Sequence, residues 1–173
     1  MESRELKTGE SVRRVGLFGG SFNPFHRGHL NLALKALTAL ELDILYVIPA
    51  KVSPFKTDCP PDKALAGFDD AERWRRVVAA CAVDSRLIPW DIELTRGGVS
   101  YAIDTVRAAH LRHPEAELFF VIGEDSRAGL PRWKDWEILR TLCRFAVFPR
   151  TEESSTEIRR RLASGESADE WLI

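Results

Sequence analysis

Cysteine is scarce in this sequence, with only Cys59, Cys81 and Cys143 among 173 residues. Their number is odd, their spacings are wide and no C-x-x-C occurs. That pattern argues against a disulfide frame and fits reduced thiols in a cytoplasmic protein. No apolar run reaches the ~18 residues of a membrane span, so no membrane partner is expected. The opening MESRELKTGESVRR lacks the apolar core of a secretion signal. Residues 1–12 read as a flexible lead-in and residues 13–173 as one domain. Charge imbalance is also missing. A net charge of −1 provides no bulk field to recruit nucleic acid, so any anion must be held locally by some of the 25 basic residues. Neither GxxxxGK[ST] nor GxGxxG is present. Zinc would need a third and usually a fourth ligand, and no HExxH or nearby cysteine pair supplies them; no protein-held metal is expected. Internal repeats and low-complexity tracts are absent as well.

What is present is ordinary globular material, 45% hydrophobic and 29% charged. Residues 15–18 form a short apolar run stopped by Gly19 and Gly20, which predicts a buried strand. Leu30, Ala33, Leu34 and Leu37 follow at helical spacing, and DILYVI (43–48) reads as a second strand ending at Pro49. Residues 15–48 are thus a βαβ unit with parallel strands. Residues 50–68 read as an exposed loop. The pattern then predicts a helix over 69–83, with Trp74, Val77, Val78 and Cys81 on one side. One or two strands are predicted over 87–94, a turn at 96–98 and a helix over 102–111. A strand over 117–122, a helix over 133–142, a strand over 144–148 and a last helix over 155–163 complete the reading. This alternation implies a three-layer α/β domain with a mainly parallel sheet. In such sheets ligands sit beyond the carboxyl ends of the strands, near the topological switch. Segments 19–29, 49–56 and 123–133 all fall there.

The most informative stretch is GLFGGSFNPFHRGHL (16–30). Gly19 and Gly20 let the backbone turn and approach a ligand closely. The helix starting near His26–Gly28 offers N–H groups and a dipole that favour phosphate. The same glycines would also serve a plain packing turn. His26 and His29, three apart at a helix start, share a face and can donate hydrogen bonds to charge developing on phosphoryl oxygens.

On these residues the chain resembles the nucleotidyltransferase superfamily, whose (T/H)xGH signature GGSFNPFHRGHL matches. Cytidylyltransferases, pantetheine-phosphate adenylyltransferases and class I aminoacyl-tRNA synthetases share that element. The segments ELTRGGVSYAIDTV (93–106), FFVIGEDSRAGLPRWKDW (119–136) and SSTEIR (154–159) narrow the resemblance to the bacterial nicotinate mononucleotide adenylyltransferases. It implies a Rossmann-like nucleotidyltransferase fold and adenylyl transfer from ATP to nicotinate mononucleotide, with Mg²⁺ carried on the ATP phosphates. The same chemistry on nicotinamide mononucleotide or another phosphate ester, and a non-catalytic adenine-nucleotide-binding protein, are the alternative readings. By the same resemblance, Gly19, Gly20, Ser21, Phe22, His26 and His29 meet ATP. So do Gly123 and Asp125, whose aspartate holds a ribose hydroxyl, and Ser154, Ser155, Thr156 and Arg159 of the second signature. Ser21, Lys56, Tyr101, Ala102, Asp104, Thr105, Trp133 and Lys134 meet the mononucleotide, with Trp133 stacked on its pyridine ring. His26, His29, Lys56 and Arg159 carry the catalytic charge. The simpler readings stay open: Lys56 as a solvated lysine, Asp125 as a helix cap, Trp133 as core. Ser154-x-x-Glu157 also reads as a capping box. Assembly is left open, a homo-oligomer included.

Three departures from the family pattern stand out. Phe55 occupies a position where the family often has histidine, and Ala102 replaces a threonine. Only Thr151, Glu152 and Glu153 separate FPR (148–150) from SSTEIR, where the family places another strand. Three residues span at most ~11 Å.

Overall fold

The computed structural model describes residues 12–55, 67–149 and 154–173. Residues 1–11 of the predicted lead-in, Lys56, Cys59 and the connection at 151–153 lie outside the described residues. Five strands, β1 (Arg14–Gly20), β2 (Ile44–Pro49), β3 (Leu87–Pro89), β4 (Glu117–Gly123) and β5 (Arg144–Phe148), form one sheet in the order β3-β2-β1-β4-β5. Every pairing is parallel. The helices are α1 (Arg27–Ala39), α2 (Asp70–Cys81), α3 (Ile92–Arg96), α4 (Ala102–Arg112), α5 (Glu124–Arg127), α6 (Trp136–Leu142) and α7 (Ser155–Ala163). This is the three-layer α/β fold with a parallel sheet that the alternation of elements implied, and it is Rossmann-like, as the resemblance implied.

Alternating side chains divide the core into two halves, as the pleat requires. Phe18, Leu45, Val47, Phe119 and Val121 face α1 and α2, meeting Ala33, Leu37 and Val77. Val15, Leu17, Ile48, Phe120 and Ile122 face the other way, onto Ile103 and Val106 of α4 and Leu139 of α6. With both faces covered, β2 is buried along its whole length, and its sequence is a continuous apolar run rather than an alternating one.

Two boundaries and one helix face differ from the sequence reading. Residues 87–94 are not all strand: β3 ends at Pro89 and residues 92–96 turn into α3. Pro89 has no N–H to extend a ladder. The helix predicted from Trp133 begins at Trp136, preceded by a 3₁₀ turn at Leu130–Arg132 that contains Pro131. Trp133 itself is extended (φ −69°, ψ 144°) and Asp135 is left-handed at φ 53°. The buried face of α2 carries Arg73, Val77, Ala80 and Cys81, whereas Val78 is 42% exposed. Positions i, i+4, i+7 and i+8 share a helix face, and Val78 is one step past it.

Cys81 and Cys143 are free and buried. Burial pushes both thiols up to about 12, which suppresses the reactive thiolate. Alkylation of the native protein near pH ~8 should leave these two unmodified, and both should react once the chain is unfolded. Peptide mass spectrometry reads the difference.

Candidate active site

β1 lies at the centre of the sheet, with β2 on one side and β4 on the other. The chain leaves β1 toward β2 and returns later to β4, so the switch point falls at the carboxyl end of β1. A cleft of about 930 Å³ opens there, large enough for a nucleotide. Its wall at the β1 exit is Gly19, Gly20, Ser21 and Phe22, joined by His29. The β2 exit adds Ala50, Ser53, Pro54 and Phe55; the approach to α4 adds Glu93, Ser100, Tyr101 and Ala102. Phe120, Asp125, Arg132, Trp133 and Lys134 close the β4 side, and Ser155 reaches in from α7.

Gly20 is demanded by the protein's own packing. A Cβ there would lie 2.7 Å from the ring of Phe22, and Phe22 takes a left-handed φ of 43°. Phe18, Phe22 and Phe25 surround His29, with ring centroids 6.3, 5.0 and 5.2 Å away. His26 and His29 stack with centroids 3.7 Å apart. Burial first, and then the neighbouring His26, hold the His29 pKa well below the usual imidazole value, so the ring is neutral at pH 7. Its Nδ1 accepts the His26 backbone N–H at 3.2 Å. That bond places the proton on Nε2, which makes His29 a hydrogen-bond donor on its other edge.

The start of α1 is more self-satisfied than expected. Besides the His26 N–H, the Arg27 N–H is taken by the Trp171 carbonyl at 2.9 Å. The chain's last residues therefore lie against this helix start, where Arg161 stacks on the Trp171 ring at 4.1 Å. Two of the N–H groups that the sequence offered to phosphate are already bonded.

Two buried charged residues, Arg73 and Glu93, were not assigned a role from sequence. Arg73 is 5% exposed. Its Nη1 donates to Ser21 O at 2.7 Å and to Ala50 O at 2.8 Å, and its Nη2 donates to Asp70. It therefore ties the loop leaving β1 to the loop leaving β2. Lys51 pairs with the same Asp70, and these two pairings hold the Asp70 carboxyl below its ordinary value. The signal for Arg73 was present in sequence: an arginine four residues before Val77, on the apolar face of α2. Glu93, also 5% exposed, accepts a hydrogen bond from Thr105 Oγ1 at 2.6 Å and another from Ser100. The Ser100 oxygen accepts the Lys51 N–H at 2.9 Å. Burial raises the Glu93 carboxyl above its ordinary value, against the Thr105 and Ser100 hydrogen bonds and the Arg96 charge. One carboxylate thus joins three walls of the cleft. Its apolar neighbours in sequence had made this segment read as strand.

Of the residues singled out in the sequence, Gly19, Gly20, Ser21, Phe22, His29, Asp125, Tyr101, Ala102, Trp133, Lys134 and Ser155 line one cleft. His26, Asp104, Thr105, Gly123, Ser154, Thr156 and Arg159 do not line it. His26 is buried behind His29, and Thr105 is fully buried beneath Glu93. Arg159 donates to Asn23 O and to Thr156 Oγ1, and Ser155 Oγ donates to Pro24 O at 3.0 Å. α7 is thus fastened to the turn between β1 and α1. The capping box does not form: Ser154 makes no side-chain cap bond. Glu157 instead pairs with Arg160 and Arg161, which hold its carboxyl at about 2. Among the described residues no three His, Cys, Asp or Glu side chains gather to hold a metal.

A cytidylyltransferase-like family model matches residues 17–161. A protein of Shouchella clausii named as a nicotinate-nucleotide adenylyltransferase is 41% identical over 145 residues, covering 83% of this chain and 72% of its own length. A Thermus thermophilus protein of the same name is 37% identical over 179 residues, 92% of this chain and 91% of its own. That alignment is longer than the chain itself, so the relative has residues with no counterpart here. The chain spans under two thirds of the length of some other curated relatives. Among solved structures, Plasmodium falciparum nicotinic acid mononucleotide adenylyltransferase complexed with NaAD shares the fold, with a TM-score of 0.68 at 14% identity over 92% of this chain and 90% of that one. The match across residues 17–161 and the 41% identity place this chain in the cytidylyltransferase-like family, among the nicotinate-nucleotide adenylyltransferases.

Proposed function

We propose that the chain transfers the adenylyl group of ATP to the 5′-phosphate of nicotinate mononucleotide, giving the dinucleotide and pyrophosphate. The observation that carries this reading is a neutral His29, its proton on Nε2, lining a nucleotide-sized cleft at the sheet's switch point. A phosphate oxygen of the mononucleotide attacks the α-phosphorus. The bond from that phosphorus to the bridging oxygen breaks, and pyrophosphate leaves with the electron pair. The attacking group is already an anion, so no general base is required, and catalysis reduces to alignment and charge stabilisation.

His29 donates from Nε2 to phosphoryl oxygens, with His26 stacked behind it to fix the ring. Lys56 and Arg159 supply positive charge to the same phosphates. Arg159 is bonded to the Asn23 carbonyl beside Pro24 and would have to exchange that bond for a phosphate oxygen. Tyr101, Ala102, Trp133 and Lys134 form the acceptor end, where the Lys134 ammonium lies 4.4 Å from the Tyr101 ring centre. A cation at that end favours an acceptor ring bearing a carboxylate over one bearing an amide. Magnesium fits as a passenger of the triphosphate, since it is commonly held through substrate phosphates with few protein ligands; bound there, it would neutralise charge on the leaving pyrophosphate.

The test is pyrophosphate release with ATP and Mg²⁺ against nicotinate mononucleotide, nicotinamide mononucleotide and phosphopantetheine in turn. The highest kcat/KM is expected with the nicotinate acceptor. No turnover with any of the three would remove the reading, and a preference for another acceptor would change the substrate assigned.

A further inference from the structure

Phe55 is anomalous for a large apolar side chain: it lines the cleft yet is 53% exposed. Its ring faces Trp133 with centroids 6.3 Å apart and planes inclined by 41°. Carbon atoms in contact sit ~3.5–4.0 Å apart, so the two rings are not packed face to face. Trp133 is fixed by other partners. Phe120 and Phe145 meet it in T-shaped contacts at 5.5 and 5.8 Å, which hold its plane without covering it fully. The segment that carries Phe55 is anchored just upstream. The Ala50 N–H donates to Gly20 O at 2.8 Å, the Lys51 N–H to Ser100 Oγ at 2.9 Å, and Val52 bridges Val99. A flat ring sandwiched between two others needs a spacing of about 7 Å, two contact layers of ~3.5 Å. The centroids are closer than that, so a guest ring would have to part the two by moving the exposed Phe55 side chain.

We propose that Phe55 is a specificity-determining residue that supplies the second wall, opposite the Trp133 ring to which the family resemblance already assigns the pyridine, of a slot for the flat, cationic heteroaromatic ring of the acceptor nucleotide. The proposal rests on the adenylyltransferase reading above. The quaternary ring nitrogen gives such an acceptor a positive charge spread over a planar ring. Aromatic faces carry negative potential and attract it. A phenyl wall has this property at every pH, whereas an imidazole in its place would repel the ring once protonated. A dihydropyridine ring is uncharged and no longer aromatic, and loses the attraction between cation and ring face. A guest ring against Phe55 also removes its exposed face from water.

Phe55→Ala, Phe55→His and Phe55→Tyr test it. The alanine variant should raise KM for the pyridine mononucleotide roughly ten-fold, with kcat and KM for ATP essentially unchanged. Its melting temperature should not move, because the ring is already half in water. Tyrosine should restore KM, and histidine should restore it at alkaline but not acidic pH. Titration of intrinsic tryptophan fluorescence with the acceptor reads binding independently of turnover. The reduced, uncharged mononucleotide should bind wild type more weakly than the oxidised one and be indifferent to the Ala substitution. An unchanged acceptor KM and binding constant in Phe55→Ala overturns the slot while leaving the enzymatic reading intact. An equal rise in KM for ATP overturns it too, by moving Phe55 to the other substrate. Wild-type protein that neither turns over nor binds any pyridine mononucleotide defeats the underlying reading and the slot together.

Discussion

His29→Ala is expected to lower kcat for adenylyl transfer about a hundred-fold or more, with a much smaller change in KM for ATP. The asymmetry follows from the chemistry. A donor aimed at oxygens whose charge grows during transfer contributes more to the transition state than to the bound substrate. The neutral ring is central to that role, and it has a second, independent readout. Burial among Phe18, Phe22 and Phe25, together with the stacked His26, keeps the folded-state pKa of His29 below its unfolded value. The unfolded chain therefore takes up this proton first as the pH falls. The stability difference between wild type and His29→Ala should be constant above about pH 6.5, then shift in the variant's favour below it. Denaturant titrations across that range measure the shift. Parallel pH profiles for the two proteins, or a variant with a near-normal rate, would contradict the assignment.

Arg73→Met should damage both stability and activity although Arg73 lines no part of the cleft. It strands the Ser21 and Ala50 carbonyls and leaves Asp70 with Lys51 alone. Losing the partner of buried polar groups costs about 2–4 kcal/mol in total, discounted because Asp70 is partly exposed. For a chain of this size that corresponds to a melting temperature lower by roughly 5–15 °C. Activity should fall at least ten-fold at temperatures where the variant is still folded, because the β1 and β2 exits are no longer held in register. Lysine keeps the charge and can reach one carbonyl at a time, so Arg73→Lys should recover stability more fully than kcat. If kcat returns to the wild-type level in Arg73→Lys, the fork geometry is irrelevant and only the charge matters.

Much of this architecture was legible because its local and global signals agree. The β1–α1–β2 unit announces itself by an apolar run, two glycines and a helical repeat, and α7 spans the same residues that its pattern suggested. Where the reading failed, tertiary context had overridden a local preference. Ile92, Glu93 and Leu94 look like strand, yet Pro89 has already ended the ladder and Glu93 turns inward to bond Ser100 and Thr105. Trp133 sits in a helix-like pattern, yet Pro131 and the left-handed Asp135 set it apart as an extended residue facing the cleft. Which residues would face the opening was also only partly legible. Gly20 and His29 were, because the glycine turn and the helix start dictate their place, and Ser21 followed from the resemblance. Arg73 and Glu93 were not, because a buried charge declares itself only through partners distant in sequence, such as Ser21 for one and Thr105 for the other. The same holds for His26 and Arg159, named from their motifs but set behind or beside the opening.

Of the described strands β1 is made first, yet on one side it pairs with Glu117–Phe120 of β4. Until that later stretch emerges, one backbone edge of β1 has no partner, and Leu17 and Val15 have no α4 to cover them. The first half of the chain must wait, partly assembled around α1 and β2, for most of its synthesis. Non-local pairing of this kind slows folding and exposes sticky edges in the interim. Yield in cells should therefore depend more on how this nascent half is shielded than on the stability of the finished molecule.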